Sequence, residues 1–355
     1  MSKHLFGLIV TSYGAAANNR GENEGNITTL QKLLWKGDVH TTVSAEAIRW
    51  ALRYFWEKNG IQVNRQWNED KYDHEWRDPS WAPWTSTNEE LRSQPTFIDD
   101  DVMGFMLAEA ASTDGSDVLD SLKEDRKKAD AQLKALSKDD KKSDLGKALQ
   151  QQINESKSKI DVLSKGKTNK RRGALEVTRA ISLSPFAGDI TFNAKSGEKG
   201  STSLYGTEVH ATRYQYGIAL TPQLLRDGSR VLSVIEAIVG LGDVGGNHSR
   251  FLFDFSPESV VFRWTDDFAP RMLYGFDMNE KGDVSFPALV QKVKDGDIDA
   301  KELFIGGSIV HSLDEETKKA LAGATISNGG AVGVKVAAEA LKKEIRKDLD
   351  LTEGD

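Results

Sequence analysis

The chain has 355 residues, a net charge of −7 and no cysteine. Its length allows two domains or one domain with large insertions, and the missing cysteines exclude disulfides and thiolate metal sites and fit a cytoplasmic protein. No apolar run reaches the roughly 18 residues of a membrane span, and the acidic balance argues against coating duplex DNA by bulk electrostatics. The distribution of charge is more telling than its sum, because Lys165 to Arg172 is strongly basic whereas Asp348 to Asp355 is acidic.

His4 to Tyr13 reads as an apolar strand rather than a signal peptide. It empties into a polar loop without a core, Gly14 to Gly25, carrying Asn18, Asn19 and Arg20 among small residues. The chain then runs through Lys32, Lys36 and His40 to Val43 into a helix from about Ser44, a fair N-cap. Ile48, Ala51, Leu52 and Phe55 form its apolar stripe, with Glu46, Arg49, Arg53 and Glu57 opposite, either as a solvated salt-bridge stripe or as phosphate contacts. Residues 57–97 are poor in aliphatics but hold Trp67, Trp76, Trp81 and Trp84, rings that dock on their own domain or on a partner or, less often, form a platform for a sugar or a base. Phe97 to Ala111 reads as a strand.

Residues 112–169 contain no aromatic and no proline. Val118, Leu122, Ala129, Leu133 and Leu136, then Leu145, Leu149, Ile153, Ile160 and Leu163, flank the breaker Lys138 to Asp144. That spacing predicts a helical hairpin, a protruding arm. Gly173 to Leu183 resumes strand character, and Ala194 to Ser203 has the composition of a hairpin tip. Glu208 to Leu220 alternates as one strand, and Arg230 to Leu241 is helical with Val231, Val234, Ile235 and Ile238 inward. Phe251 to Phe255 and Val260 to Trp264 read as strands about Ser256-Pro257, and Val334 to Leu349 as an amphipathic helix. Without insertions the order is β-α-β-β-α-β, an α+β, ferredoxin-like plan shared with RNA-recognition domains.

Gly240 to Gly245 matches G-x-G-x-x-G, but a helix precedes it and a strand follows, the reverse of a dinucleotide site. It reads instead as a helix terminator or as a loop delivering His248 and Arg250 beside the sheet edge. Asp99, Asp100 and Asp101 in a strand would point to alternate faces, so no metal is expected there. No Walker loop, serine elbow or H-x-x-x-H occurs, and no cofactor is expected. Arg172 to Val177 begins like an RNA-binding strand but lacks its aromatics. Backbone capture remains. Arg20, Lys32, Lys36, Arg49, Arg53, Lys167 to Arg172 and Arg250 would form a sequence-independent groove if they met at one sheet edge.

Five ordered segments carry a resemblance: Asn19-Arg20 with Leu30-Gln31-Lys32, Val43 to Arg53, Gly173 to Ser182, Tyr205 to Tyr214, and Gly246 to Pro257. The chain resembles the backbone subunit of the type I CRISPR surveillance complex, Cascade, in the DevR-like, I-B-type branch of the seventh Cas protein family (RAMP superfamily). The resemblance implies a modified RNA-recognition palm (1–56, 98–111, 170–183 and 208–275), fingers at 57–97, a helical insertion at 112–169, and a C-terminal region at 276–355. It also implies a β-hairpin thumb at 184–207 with Phe186, Lys195 and Lys199. RNA contacts are expected at Asn19, Arg20, Lys32, Ser44, Arg49, Arg53, Lys170, Arg171, Arg172, His248 and Arg250. The implied partners are CRISPR RNA, neighbouring copies of the chain, other Cascade subunits and a target DNA strand paired to the guide, with no membrane. Related type III subunits cut RNA with a first-loop aspartate; this loop offers only Glu22 and Glu24, so no nuclease activity is expected. The alternatives are a metal-dependent ribonuclease using those two glutamates and a DNA-binding regulator.

Overall fold

The computed structural model of the chain describes residues 2–17, 23–86, 89–108, 116–136, 143–164, 168–194, 204–244 and 252–352. Two compact units result, residues 1–103 with 173–355, and residues 104–172. The larger unit is built on a nine-stranded sheet. Its opening strand, His4–Thr11, is buried along its whole length, as a near-continuous apolar run requires when both faces are covered. It lies antiparallel to Tyr214–Leu220 on one side and to Pro257–Thr265 on the other. Across the sheet the order is Thr325–Ser327, Leu303–Gly307, Pro257–Thr265, His4–Thr11, Tyr214–Leu220, Ala180–Ser182, Asp38–Val43 and Lys32–Trp35, with Leu175–Val177 also on Tyr214–Leu220. The helices Ala45–Lys58 and Arg230–Val239 complete the β-α-β-β-α-β palm.

Ser44 caps the first helix, its hydroxyl accepting the Ala47 N–H at 3.2 Å. Ile48, Ala51, Leu52 and Trp56 are its buried residues, so Trp56 rather than Phe55 completes the stripe. The Trp56 indole donates to the Ser233 carbonyl at 3.0 Å, pinning the two palm helices together. One face of the sheet packs Leu5, Ile9, Tyr216 and Phe262 in a single core with these helices and with Gly330–Asp348. On the opposite face Phe6, Leu8, Val10 and Val261 are sealed under Met272, Phe276, Phe286, Leu289 and Ile309. An ordinary RNA-recognition sheet presents such a face to bases. Here that face is core.

Several local expectations are corrected. Residues 98–103 form a helix, Ile98–Met103, ended by Gly104 at φ +70°; the strand covers only Gly104–Ala108. Successive helical residues point about 100° apart, which spreads three buried aspartates toward three different partners. Asp99 accepts from Arg53 Nε at 3.1 Å and from the Asn64 and Arg65 backbone N–H groups at 2.7 and 3.0 Å. Asp100 accepts from Trp81 Nε1 at 2.8 Å and from Asn64 Nδ2 at 3.0 Å. Asp101 accepts from the Arg226 and Asp227 N–H groups and from Arg230 Nη1, at 2.9, 3.1 and 2.7 Å. The triad is a structural tie between the first helix, the Trp-bearing segment and the second helix.

The polar stretch before the first helix is a hairpin, Lys32–Trp35 with Asp38–Val43. Lys36 and Gly37, at φ +52° and +97°, supply the two left-handed residues of its turn. Glu208 to Leu220 divides at Arg213 into Leu204–Thr212 and Tyr214–Leu220, which lie in different sheets. Among the described residues 252–255 there is no strand, because Phe253 and Phe255 turn inward onto Tyr214 and Tyr216; the following strand runs unbroken from Pro257 to Thr265. Lys170–Arg172, expected in a palm strand, pair instead with Gly104–Met106 in the second unit. That unit contains the helices Ser116–Ala135 and Asp144–Ser164, packed through Ala129, Leu149 and Ile153. Chain exit and re-entry adjoin, since a Cβ on Gly173 would lie 2.5 Å from the Met103 carbonyl oxygen.

Asp101→Ala leaves two backbone donors without their acceptor, while Arg230 keeps Thr96 and Asp227, and urea denaturation should show a loss of about 1–3 kcal/mol; a loss below about 1 kcal/mol would contradict the tie. Burial, and next the Asp99 charge, push Asp100 up from 3.8 to about 7. The folded chain therefore holds a proton that the unfolded chain releases across that interval. Stability contributed below 3.8 is lost as pH rises and levels off above about 7. In Asp100→Asn this falling component should be absent from a pH series of denaturation curves, and an unchanged slope would contradict it.

Candidate nucleic-acid interface

The hairpin Asp189–Ala194 with Leu204–Thr212 stands at one rim of the palm. Ile27–Thr28 pairs parallel to its second strand, Asn23–Glu24 pairs with Ile27–Thr28, and Gly14–Ala16 pairs antiparallel to the same second strand. The opening loop and the hairpin are thus one five-stranded sheet. Gly14 also lies against Phe253, with 3.3 Å from an added Cβ to the ring. The described flanks of the opening loop and the glycine-rich loop therefore adjoin.

A buried polar network roots the hairpin. His210 Nε2 faces the Pro185 carbonyl at 3.2 Å, so it carries the proton and Nδ1 accepts from the Thr41 hydroxyl at 2.7 Å. Thr41 in turn accepts from Tyr214 Oη at 2.8 Å. Burial pushes the His210 imidazole below its ordinary value and the Tyr214 phenol up to about 12, so both stay neutral at physiological pH. His40 Nδ1 donates to the Ser182 carbonyl at 2.7 Å, and the Phe186 N–H donates to the Val39 carbonyl at 2.7 Å. These bonds fix the segment that enters the hairpin.

The cations selected from sequence divide sharply. Lys32 pairs with Glu208 at 2.6 and 2.8 Å and lies 4.9 Å over the Phe186 ring, so its charge holds the hairpin to the sheet edge. Ser44 is occupied as a helix cap. Arg53 is committed to buried Asp99. Arg49 is looser, 4.0 Å from both Glu46 and Glu176. Lys170 and Arg172 are exposed and Arg171 half-buried, all in the second unit. Asn19, Arg20, Lys195, Lys199, His248 and Arg250 lie outside the described residues.

One cation was missed. Exposed Arg179 joins Leu175–Val177 to Ala180–Ser182 and donates from Nη1 to Gln31 Oε1 at 2.8 Å and to Thr42 Oγ1 at 3.2 Å. Tyr274 Oη donates to its carbonyl at 2.9 Å. Arg179 forms no ion pair among the described residues, so its charge faces neutral partners. Its signal in the sequence was a cation inside an otherwise neutral stretch, Val177-Thr178-Arg179-Ala180-Ile181. Lys32 thus lies on the edge strand, Arg179 bonds its neighbour Gln31, and Arg49 stands on the first helix beside Glu176.

The fold is a ferredoxin-like palm, the plan of RNA-recognition domains, with both sheet faces covered. No family model matches the chain. A protein of Myxococcus xanthus (strain DK1622), described as "CRISPR-associated protein Cas7/Cst2/DevR", is 42% identical over 356 residues, covering 98% of this chain and 100% of that one. The chain belongs to the Cas7/Cst2/DevR family of CRISPR-associated proteins. It is also similar to a chain of a solved "CRISPR RNA-guided surveillance complex", with 12% identity, a TM-score of 0.46, and coverage of 95% of this chain and 99% of the other. A second such complex, "pre-nicking", gives 11% identity, a TM-score of 0.41, and coverage of 82% and 88%.

The two arginines of the first helix should separate cleanly. Arg53→Glu sets two carboxylates against each other in the interior and should cost about 3–5 kcal/mol in denaturant unfolding. Arg49→Glu, at a half-exposed position, should cost under about 1 kcal/mol. Equal losses would contradict the assignment of Arg53 to the fold.

Proposed function

We propose that the chain is the guide-RNA-binding backbone subunit of a type I, I-B-like CRISPR surveillance complex. In this reading several copies line one CRISPR RNA, grip its phosphates and present its bases to a target DNA strand, alongside other subunits of the complex. Residues 184–207 act as the thumb, 57–97 as the fingers, and 112–169 as an inserted arm. The observation that carries the reading is the rim of Lys32, Arg179 and Arg49 beside a rooted hairpin, on a palm whose sheet has no open face. Family membership supports it.

The mechanism follows from the chemistry of the rim. Arg49 and Arg179 offer guanidinium donors to phosphate oxygens, whereas Lys32 keeps the hairpin in place through Glu208. Contacts of this kind position a strand without reading its bases. The unread bases remain free to pair. No hydrolytic step belongs to this role. Glu24 lies on the short exposed strand Asn23–Glu24.

An Arg49→Glu, Arg179→Glu double variant should purify folded but with at least tenfold less bound RNA, read from absorbance at 260 nm per chain. RNA binding by the parent protein should weaken with salt, with a log–log slope of about −0.7 per phosphate contacted. Unchanged RNA content together with a flat salt response would overturn the reading. Magnesium-dependent RNA cleavage lost in a Glu22→Ala, Glu24→Ala variant would establish the ribonuclease alternative instead.

A further inference from the structure

The segment after the first helix forms a two-stranded ribbon, Arg65–Asn68 with Asp73–Trp76. Its register places Arg65 opposite Trp76 and Trp67 opposite His74. These four share the face turned toward the first helix, where Trp50 Nε1 donates to His74 Nε2 at 3.1 Å. The other face is self-satisfied, with Gln66, Asn68 and Lys71 all donating to Glu75.

Arg53 and Arg65 lie close enough for their like charges to interact, and the carboxylates that act on Arg65 are Asp73 and buried Asp99. Asp99 bonds the Arg53 side chain but only the backbone N–H of Arg65. The Arg65 Nε is buried and has no acceptor among the described residues. A buried donor on a charged group without a partner is costly, and it leaves the guanidinium of this half-buried arginine one hydrogen bond short. The Arg65 guanidinium lies 5.6 Å from the centre of the Trp76 ring. That ring is held by an edge contact to buried Trp81 at 5.1 Å, yet Trp76 is 41% exposed. An under-used guanidinium beside a fixed, accessible indole matches the alternation of phosphate and base along a single strand. An acidic peptide would use the guanidinium and leave the ring idle.

We propose that the Arg65–Trp76 end of this ribbon is a second nucleic-acid contact, taking one phosphate of a single strand on Arg65 and a neighbouring base on Trp76. The proposal rests on the nucleic-acid-binding role assigned above, but not on the rim residues that hold the guide. The site is read apart from the guide by saturating the protein with guide RNA.

The test uses the full chain purified with its guide RNA, titrated with a fluorescein-labelled oligothymidylate that does not pair with the guide. Arg65→Gln and Trp76→Ala should each weaken this binding at least tenfold, with guide RNA per chain and thermal midpoint unchanged. Arg65→Lys, which keeps the charge on a smaller head, should recover part of the affinity. Two results overturn the proposal: no oligonucleotide binding by the guide-loaded parent, or parental affinity in both variants. Binding of an acidic peptide in place of the oligonucleotide, lost in the same variants, would also overturn it by assigning the site to a protein partner. Loss of guide RNA from the parent itself would instead count against the proposed function.

Discussion

Phe6, Leu8 and Val10 alternate with Leu5, Ile9 and their neighbours so that the opening strand feeds two cores, one on each side of the sheet. Burying that much aliphatic and aromatic surface, at about 1.5–3 kcal/mol per large side chain, commits both faces to stability. The second core is made chiefly by residues 272–326, which add strands to the sheet edge and then fold across the face. The consequence for function is geometric. Under the proposed function a strand of nucleic acid has no solvated sheet to lie on, and recognition falls to rims and loops. Backbone capture suits such a rim, because phosphates need point donors rather than a flat aromatic surface.

Two further devices hold the rim in place. The helix Ile98–Met103 connects three elements through three consecutive carboxylates, and in doing so takes Arg53 out of the pool of ligand-binding cations. At the other end, Lys32, Glu208 and the chain of bonds from Tyr214 through Thr41 to His210 fix the hairpin to the edge strand. Neutral His210 and Tyr214 make this root insensitive to modest changes of pH. Charge near the interface is thus divided between residues that build it and residues that face outward.

Much of the fold was legible because it rests on periodicity. The Ile48–Leu52 stripe, the second palm helix and the long helices of the arm each follow from apolar spacing, and the palm order follows from them. What escaped was set by long-range partners. Asp99 to Asp101 look like a strand interior or a ligand cluster until Arg53, Trp81 and Arg230 are brought to them from 46, 19 and 129 residues away. Likewise Arg49 and Arg53 are equivalent on a helical wheel, and only the position of Asp99 separates a structural arginine from a looser one. Lys170–Arg172 were misplaced because a basic run next to a palm strand reads as part of it, whereas their pairing with Gly104–Met106 is set by the base of the arm.

The most direct test is ultraviolet cross-linking of the guide-loaded protein followed by mass spectrometry of the RNA-bound peptides. A rim-bound strand predicts cross-links on peptides that contain Lys32, Arg49 and Arg179, and none on Phe6 to Val10 or Val260 to Phe262. Cross-links concentrated on those sheet-face peptides would contradict the account, because they would require the second core to open.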